Sequence, residues 1–184
     1  FYMKRLFFFI SVLLLSHKGF SQRGLYQEDN LFFGSNILKN ELAMSQINLD
    51  LGIGYNFSEK FRLGIFLPIG YSFFKDENNN KARSFSSGIG ISGNFRFYSN
   101  EIITLRSDTR FAFGSPNKES LSDWGFTRIG TEIQTYFSSL ASERTKPYIA
   151  IGANAIYGLY EKNNIEKERM YFVPHISIGI VTNF

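Results

Sequence analysis

Residues 43–57, AMSQINLDLGIGYNF, constrain the fold more than any other part of the chain. Taking every second residue gives Ala43, Ser45, Ile47, Leu49, Leu51, Ile53, Tyr55 and Phe57; the residues between are Met44, Gln46, Asn48, Asp50, Gly52, Gly54 and Asn56. The first set is apolar apart from Ser45, and the second is polar or glycine apart from Met44. A helix would scatter both sets around its circumference, whereas a strand puts them on opposite faces. A strand this long, with no charge on one side and an acid among amides on the other, calls for two different environments.

The same alternation recurs along the chain. Strands are predicted over 31–38, 43–57, 61–73, 84–98, 102–113, 124–137, 148–160 and 169–184. Tight connections fall at 58–60 and 99–101, and a turn at 138–146. Long polar loops are predicted at 75–83, 114–123 and 161–168; the connection at 39–41 is shorter than the others on its side. Eight alternating segments with turn signals between them define one all-β domain. Alternation of short turns with longer polar loops is the pattern of an up-and-down transmembrane β-barrel.

The N-terminus is built differently. Phe1 and Tyr2 precede Met3 and read as upstream read-through. Lys4 and Arg5 then lead into an eleven-residue apolar run, LFFFISVLLLS, and a small-x-small site at Gly19-Phe20-Ser21. The run is too short to span a bilayer as a helix, which takes about 20 residues. These are the parts of a secretory signal peptide. The expected division is a signal peptide at 1–21, a short periplasmic lead at 22–30 and the barrel domain at 31–184. The formal net charge is +4, but Lys4, Arg5 and Lys18 fall within residues 1–22 with no acid, so the exported part is nearly neutral. No basic cluster is left to suggest nucleic acid. The absence of cysteine excludes disulfides, thiolate metal sites and a cysteine nucleophile, and two histidines make zinc improbable. No cofactor is expected.

Period-2 alternation fits either a soluble ligand-binding barrel, apolar inside, or a membrane barrel, apolar outside. The export signal favours the membrane. So do aromatic residues near the strand ends: Phe57, Phe61, Phe97, Phe137 and Phe184 at one rim, Phe73, Phe85, Phe113 and Phe172 at the other. Glycines crowd the polar face, where small side chains suit a narrow lumen. With its eight alternating strands and its terminal VTNF (181–184), the chain resembles the small eight-stranded outer-membrane barrels of the OmpA/OmpX-like type. The sequence FSQ at 20–22 is similar to signal endings of Bacteroidetes outer-membrane proteins. The resemblance implies a gram-negative outer membrane, a periplasmic N-terminus and four surface loops. It also implies contact with outer-membrane lipid and lipopolysaccharide, and recognition of a C-terminal aromatic, here Phe184, by the barrel-assembly machinery. A structural role, or binding of an envelope or surface protein partner through the loops, follows as the expected function.

The inward set carries Asp50, Arg62, Arg96, Arg106, Asp108, Arg110, Arg128 and Glu132. Isolated charges in a narrow lumen are costly, so these residues are expected to pair across neighbouring strands and fill the bore, with Arg110, Arg106 or Arg128 as the partner of Glu132. The alternative is an anion-selective pore. His175 and Ser177, at i and i+2, point the same way and are similar to the His-x-Ser pair of an outer-membrane lipid A deacylase. The match departs from that family at Ile178, where asparagine would follow, and the two side chains are expected to face the lumen. Asp76, Glu77 and Asn78 to Asn80 offer oxygens for calcium but lack an EF-hand spacing.

Overall fold

The structure, a computed structural model, describes residues 24–36, 42–76, 81–116, 123–142, 144–162 and 165–184. Eight strands follow one another: β1 (Gly24–Ser35), β2 (Leu42–Asn56), β3 (Phe61–Asp76), β4 (Lys81–Ser99), β5 (Ile103–Pro116), β6 (Asp123–Phe137), β7 (Thr145–Lys162) and β8 (Ile165–Asn183). Each pairs antiparallel with the next, and β1 pairs antiparallel with β8 from Tyr26↔Asn183 to Gly34↔His175, closing an up-and-down barrel. Apart from the strands, the described residues hold one 3-10 turn, Ser138–Leu140.

The alternating faces sort as the sequence implies. On β2, Met44, Gln46, Asn48, Asp50 and Asn56 are buried inside the barrel, while Ile47, Leu49, Leu51 and Ile53 lie exposed on the outer wall. The outer wall is aliphatic and aromatic on nearly every strand, with Leu63, Ile65, Leu67, Ile91, Phe111, Ile129, Ile133, Ile151, Ile176 and Ile178 all exposed. It is interrupted on β1, where outward Gln27 donates through Nε2 to outward Asp29 Oδ2 at 3.0 Å.

Two expectations are corrected. The first strand begins at Gly24 and not at Leu31, so the expected lead at 22–30 supplies the first half of β1. The stretch Tyr26-Gln27-Glu28-Asp29-Asn30 is polar on both faces and hid its alternation; inward Tyr26, Glu28, Asn30 and Phe32 form the regular series. Strands run into each of the expected long loops. Lys75 pairs with Lys81, β5 runs to Pro116, and β7 and β8 stay paired to Lys162↔Ile165. The strands β4 and β8, at 19 residues each, exceed the ~9–11 that a tilted spanning strand needs. The backbone ladder continues through the polar sequence there, because strand pairing uses backbone groups and not side chains. The turn expected at 138–146 is likewise shortened, because β7 starts at Thr145. The signal peptide at 1–21 and most of the candidate calcium loop lie outside the described residues, and the Asp76 side chain is not among those described.

One irregularity falls at the short-turn end. A bulge between Arg96 and Tyr98 leaves Phe97 unpaired against β5, and Phe97 and Tyr98 are both exposed. A bulge adds one residue to one strand and breaks the alternation locally, so adjacent aromatics share the outer rim.

The interior is layered. At the hairpin end an apolar layer combines Met44, Phe74, Ala112, Phe126, Ile156, Tyr171 and Val173. Charged side chains fill the middle. Nearer the short turns come Tyr26, Tyr136, Tyr148, Ala150 and Val181. Inward glycines make room for the rings: a Cβ on Gly64 would meet the Tyr26 hydroxyl at 2.7 Å, and one on Gly114 the Phe126 ring at 2.7 Å.

Candidate functional site

The mid-barrel charges come from four strands. Arg110 on β5 is the centre. Its Nη2 reaches Glu28 Oε1 on β1 at 2.7 Å, its Nη1 reaches Asp50 Oδ2 on β2 at 3.0 Å, and its Nε reaches Asp108 Oδ2 at 2.5 Å. Glu132 on β6 lies 3.6 Å from the same guanidinium. Arg128 on β6 adds an ion pair to Asp50 at 2.7 Å and lies over the Phe32 and Phe66 rings. All six charged side chains are buried.

One expected pairing between neighbouring strands is present, Arg110 on β5 with Glu132 on β6, but the shorter ion pairs run across the bore. Arg110 on β5 joins β1, and Arg128 on β6 joins β2, four strands away in each case. The register gives the reason: Asp108 stands directly opposite Glu132, and Arg96 opposite Arg106. Like charges face each other on adjacent strands, which is destabilising, and the long guanidinium stems reach opposite carboxylates over the axis. Of the three arginines expected to partner Glu132, Arg110 alone forms an ion pair with it among the described residues. Glu28, an anchor of the cluster, escaped the sequence reading along with the start of β1. The signal that could have found it is the outward series Leu25, Leu31 and Phe33 flanking its position.

His175 and Ser177 belong to this cluster. Ser177 donates through Oγ to Glu132 Oε2 at 3.0 Å, His175 Nε2 lies 3.2 Å from the same oxygen, and His175 Nδ1 lies 3.1 Å from Asn154 Nδ2. Both side chains are buried inside the barrel. A serine nucleophile needs its hydroxyl bonded to the base; here the hydroxyl is bonded to a carboxylate, and neither side chain faces the outer wall. Among the described residues no group of His, Cys, Asp or Glu side chains is arranged to hold a metal ion. Voids of about 10 Å³ lie among the charges, one beside Asn30, Arg128 and His175 and one beside Glu28, Phe66 and Arg110. Either is about the size of one water.

The remaining arginines of the expected set sit elsewhere. Arg96 pairs with Glu59 at 2.6 Å at the short-turn rim, partly exposed. Arg106 is buried and donates to Asn94 Oδ1 and to the backbone oxygens of Glu59 and Lys60 at 3.1 Å. Arg62 lies over the Tyr26 ring at 5.6 Å and the Tyr136 ring at 6.0 Å. These three, with Lys146, line a cavity of about 510 Å³ at the short-turn mouth. Phe184 borders it, 78% exposed, with its backbone N–H donating to Leu25 O at 3.0 Å.

No protein-family model matches the sequence, and no curated protein matches it significantly. Among solved structures, the N-terminal β-barrel domain of Pseudomonas aeruginosa OprF is similar, at 10% identity over 87% of this chain and 99% of that one, with a TM-score of 0.47. Neisserial surface protein A (NspA) is similar at 14% identity over 91% and 100% of the two chains, with a TM-score of 0.46. Both are eight-stranded outer-membrane barrels. The translocator domain of the autotransporter NalP from Neisseria meningitidis gives 12% identity and a TM-score of 0.33 over 99% of this chain and 95% of that one.

Proposed function

We propose that this chain is a non-enzymatic barrel of a gram-negative outer membrane, closed at mid-height by its own charged side chains, that acts through its surface hairpins. The observation that carries the reading is the orientation of the two faces. Between its rims the outer wall exposes aliphatic and aromatic side chains on nearly every strand, β1 with Gln27 and Asp29 apart, and the mid-height arginines and their carboxylates are inside. A soluble ligand barrel has the reverse arrangement. In water so large an apolar wall would drive association; in a bilayer it is the required surface, and closure leaves no unpaired strand edge. Ion pairs across the bore and voids the size of a single water support a non-conducting interior. The inward His175 and Ser177, held by Glu132, offer lipid no nucleophile.

The partners follow from the two rims. At the hairpin end Lys75, Lys81 and Arg83 are exposed on the outward faces of β3 and β4, suited to the phosphates of lipopolysaccharide. At the other end outward Phe184 offers the terminal aromatic expected to engage the assembly machinery. An envelope or surface protein bound at the hairpins completes the reading. The deciding test is membrane fractionation with gel mobility. The protein should partition with outer membranes, run faster unheated than boiled, and show negligible conductance in planar bilayers. Recovery as a soluble protein, or a steady open conductance, would refute the reading.

A further inference from the structure

The cavity at the short-turn mouth is lined by more positive than negative groups among the described residues. Arg62, Arg96, Arg106 and Lys146 line it, against the Glu59 carboxylate and the α-carboxylate of Phe184. Glu59 is already paired with Arg96. Arg106 spends its donors on a side-chain amide and two backbone oxygens, so its charge has no counter-ion among the described residues. Arg62 is the sharper case. It is 7% exposed, stacks on two tyrosine rings, and its Nη1 has no hydrogen-bond partner among the described residues. A buried guanidinium without an anion is costly, and nothing about the rings supplies one. The N-terminal 23 residues contain Lys4, Arg5, Lys18 and Arg23 but no acid, so that segment brings no carboxylate either.

We infer that this vestibule binds a small phosphate-bearing anion. The excess positive charge suits a dianion, and planar guanidiniums bond oxyanion oxygens in pairs. The volume of about 510 Å³ lies in the range of small-molecule pockets and exceeds what bare phosphate would fill, so the site has room for a phosphate monoester. Arg62 is the buried anchor, stiffened by Tyr26 and Tyr136. Arg96 and Lys146 stand nearer solvent and set the approach. The vestibule is separated from the hairpin end by the charge cluster, so it samples only solutes on its own side of the barrel.

The test uses the full chain refolded in zwitterionic detergent. Inorganic phosphate and glycerol phosphate are titrated by calorimetry and by thermal unfolding, against chloride and acetate at equal ionic strength. Phosphate should bind and raise the unfolding temperature, as any ligand selective for the folded state does, and chloride should not. Arg62→Gln should weaken binding by roughly tenfold or more, as loss of a charge-assisted bidentate contact does. Lys146→Gln, at the edge of the mouth, should weaken it less and guards against a folding defect in the first variant. Nanodiscs of phosphatidylglycerol and of phosphatidylcholine separate a lipid headgroup from a free solute: equal phosphate affinity in both supports the solute, whereas loss of binding in phosphatidylglycerol alone points to the headgroup as the natural occupant of the same phosphate site. The inference is overturned if phosphate behaves as chloride does, or if Arg62→Gln binds as tightly as wild type.

Discussion

Two groups of arginines in one lumen live under opposite conditions. In the middle, Arg110 and Arg128 face Glu28, Asp50, Asp108 and Glu132, so carboxylates outnumber guanidiniums and little space is left between them. At the short-turn mouth, Arg62, Arg96, Arg106 and Lys146 share Glu59 around a cavity of about 510 Å³. The interior is therefore polarised along its axis, acid-rich at mid-height and base-rich at one mouth. The difference teaches that an inward arginine in a small barrel is not one kind of residue. Where rings and opposing strands narrow the bore, it is a tie across the diameter. Where the strands end, it faces solvent space and stays available for an outside anion.

The comparison breaks most sharply on stability. Arg110→Met should leave several buried carboxylates short of a counter-charge and cost about 3–5 kcal/mol, the range for breaking one side of a buried pair. Arg62→Gln in phosphate-free buffer removes a charge with no ion partner among the described residues, so it should cost less than ~1 kcal/mol, about the worth of its ring contacts. Urea unfolding of the refolded barrels measures both; equal losses would erase the distinction between tie and vestibule.

A smaller effect tests the packing around the mid-barrel cluster. Gly152 sits opposite both Glu132 and His175 in the register. A Cβ there would meet Glu132 Cβ at 2.6 Å and Glu132 Cα at 2.8 Å, and backbone cannot swing aside as a side-chain tip can. Gly152→Ala should cost about 1–3 kcal/mol, as overpacking does, read by the same unfolding curves. A neutral result would mean that β6 and β7 slide apart freely and that the cluster is looser than its distances imply.

The smallest effect belongs to the rim. Arg96 and Glu59 have 25% and 49% of their side chains exposed, so their ion pair is screened. Arg96→Gln should change stability by less than ~1 kcal/mol, and less still in high salt. A loss rivalling that of Arg110→Met would place Arg96 back among the mid-barrel ties.

The sequence by itself determined the strand periods, the inward and outward faces and the number of strands, because a period of two needs no knowledge of neighbours. It placed Asp50, Asp108, Arg110, Arg128 and Glu132 correctly inside for the same reason. It missed the start of β1, and with it Glu28, because Gln27 and Asp29 put polar groups on the outer face as well and erased the alternation. It ended strands early at Phe73, Phe113 and Tyr160, because polar residues signal the level of water and not the end of the ladder. Which charge meets which was decided only by closure. Register set Asp108 against Glu132 and Arg96 against Arg106, which leaves Arg110 with Glu132 as the pairing between neighbouring strands among the described mid-barrel charges, and only the narrow closed cylinder brought Arg110 to Glu28 and Arg128 to Asp50. The bulge beside Arg96 and the open mouth around Arg62 are likewise products of where strands stop, a boundary that local pattern does not carry.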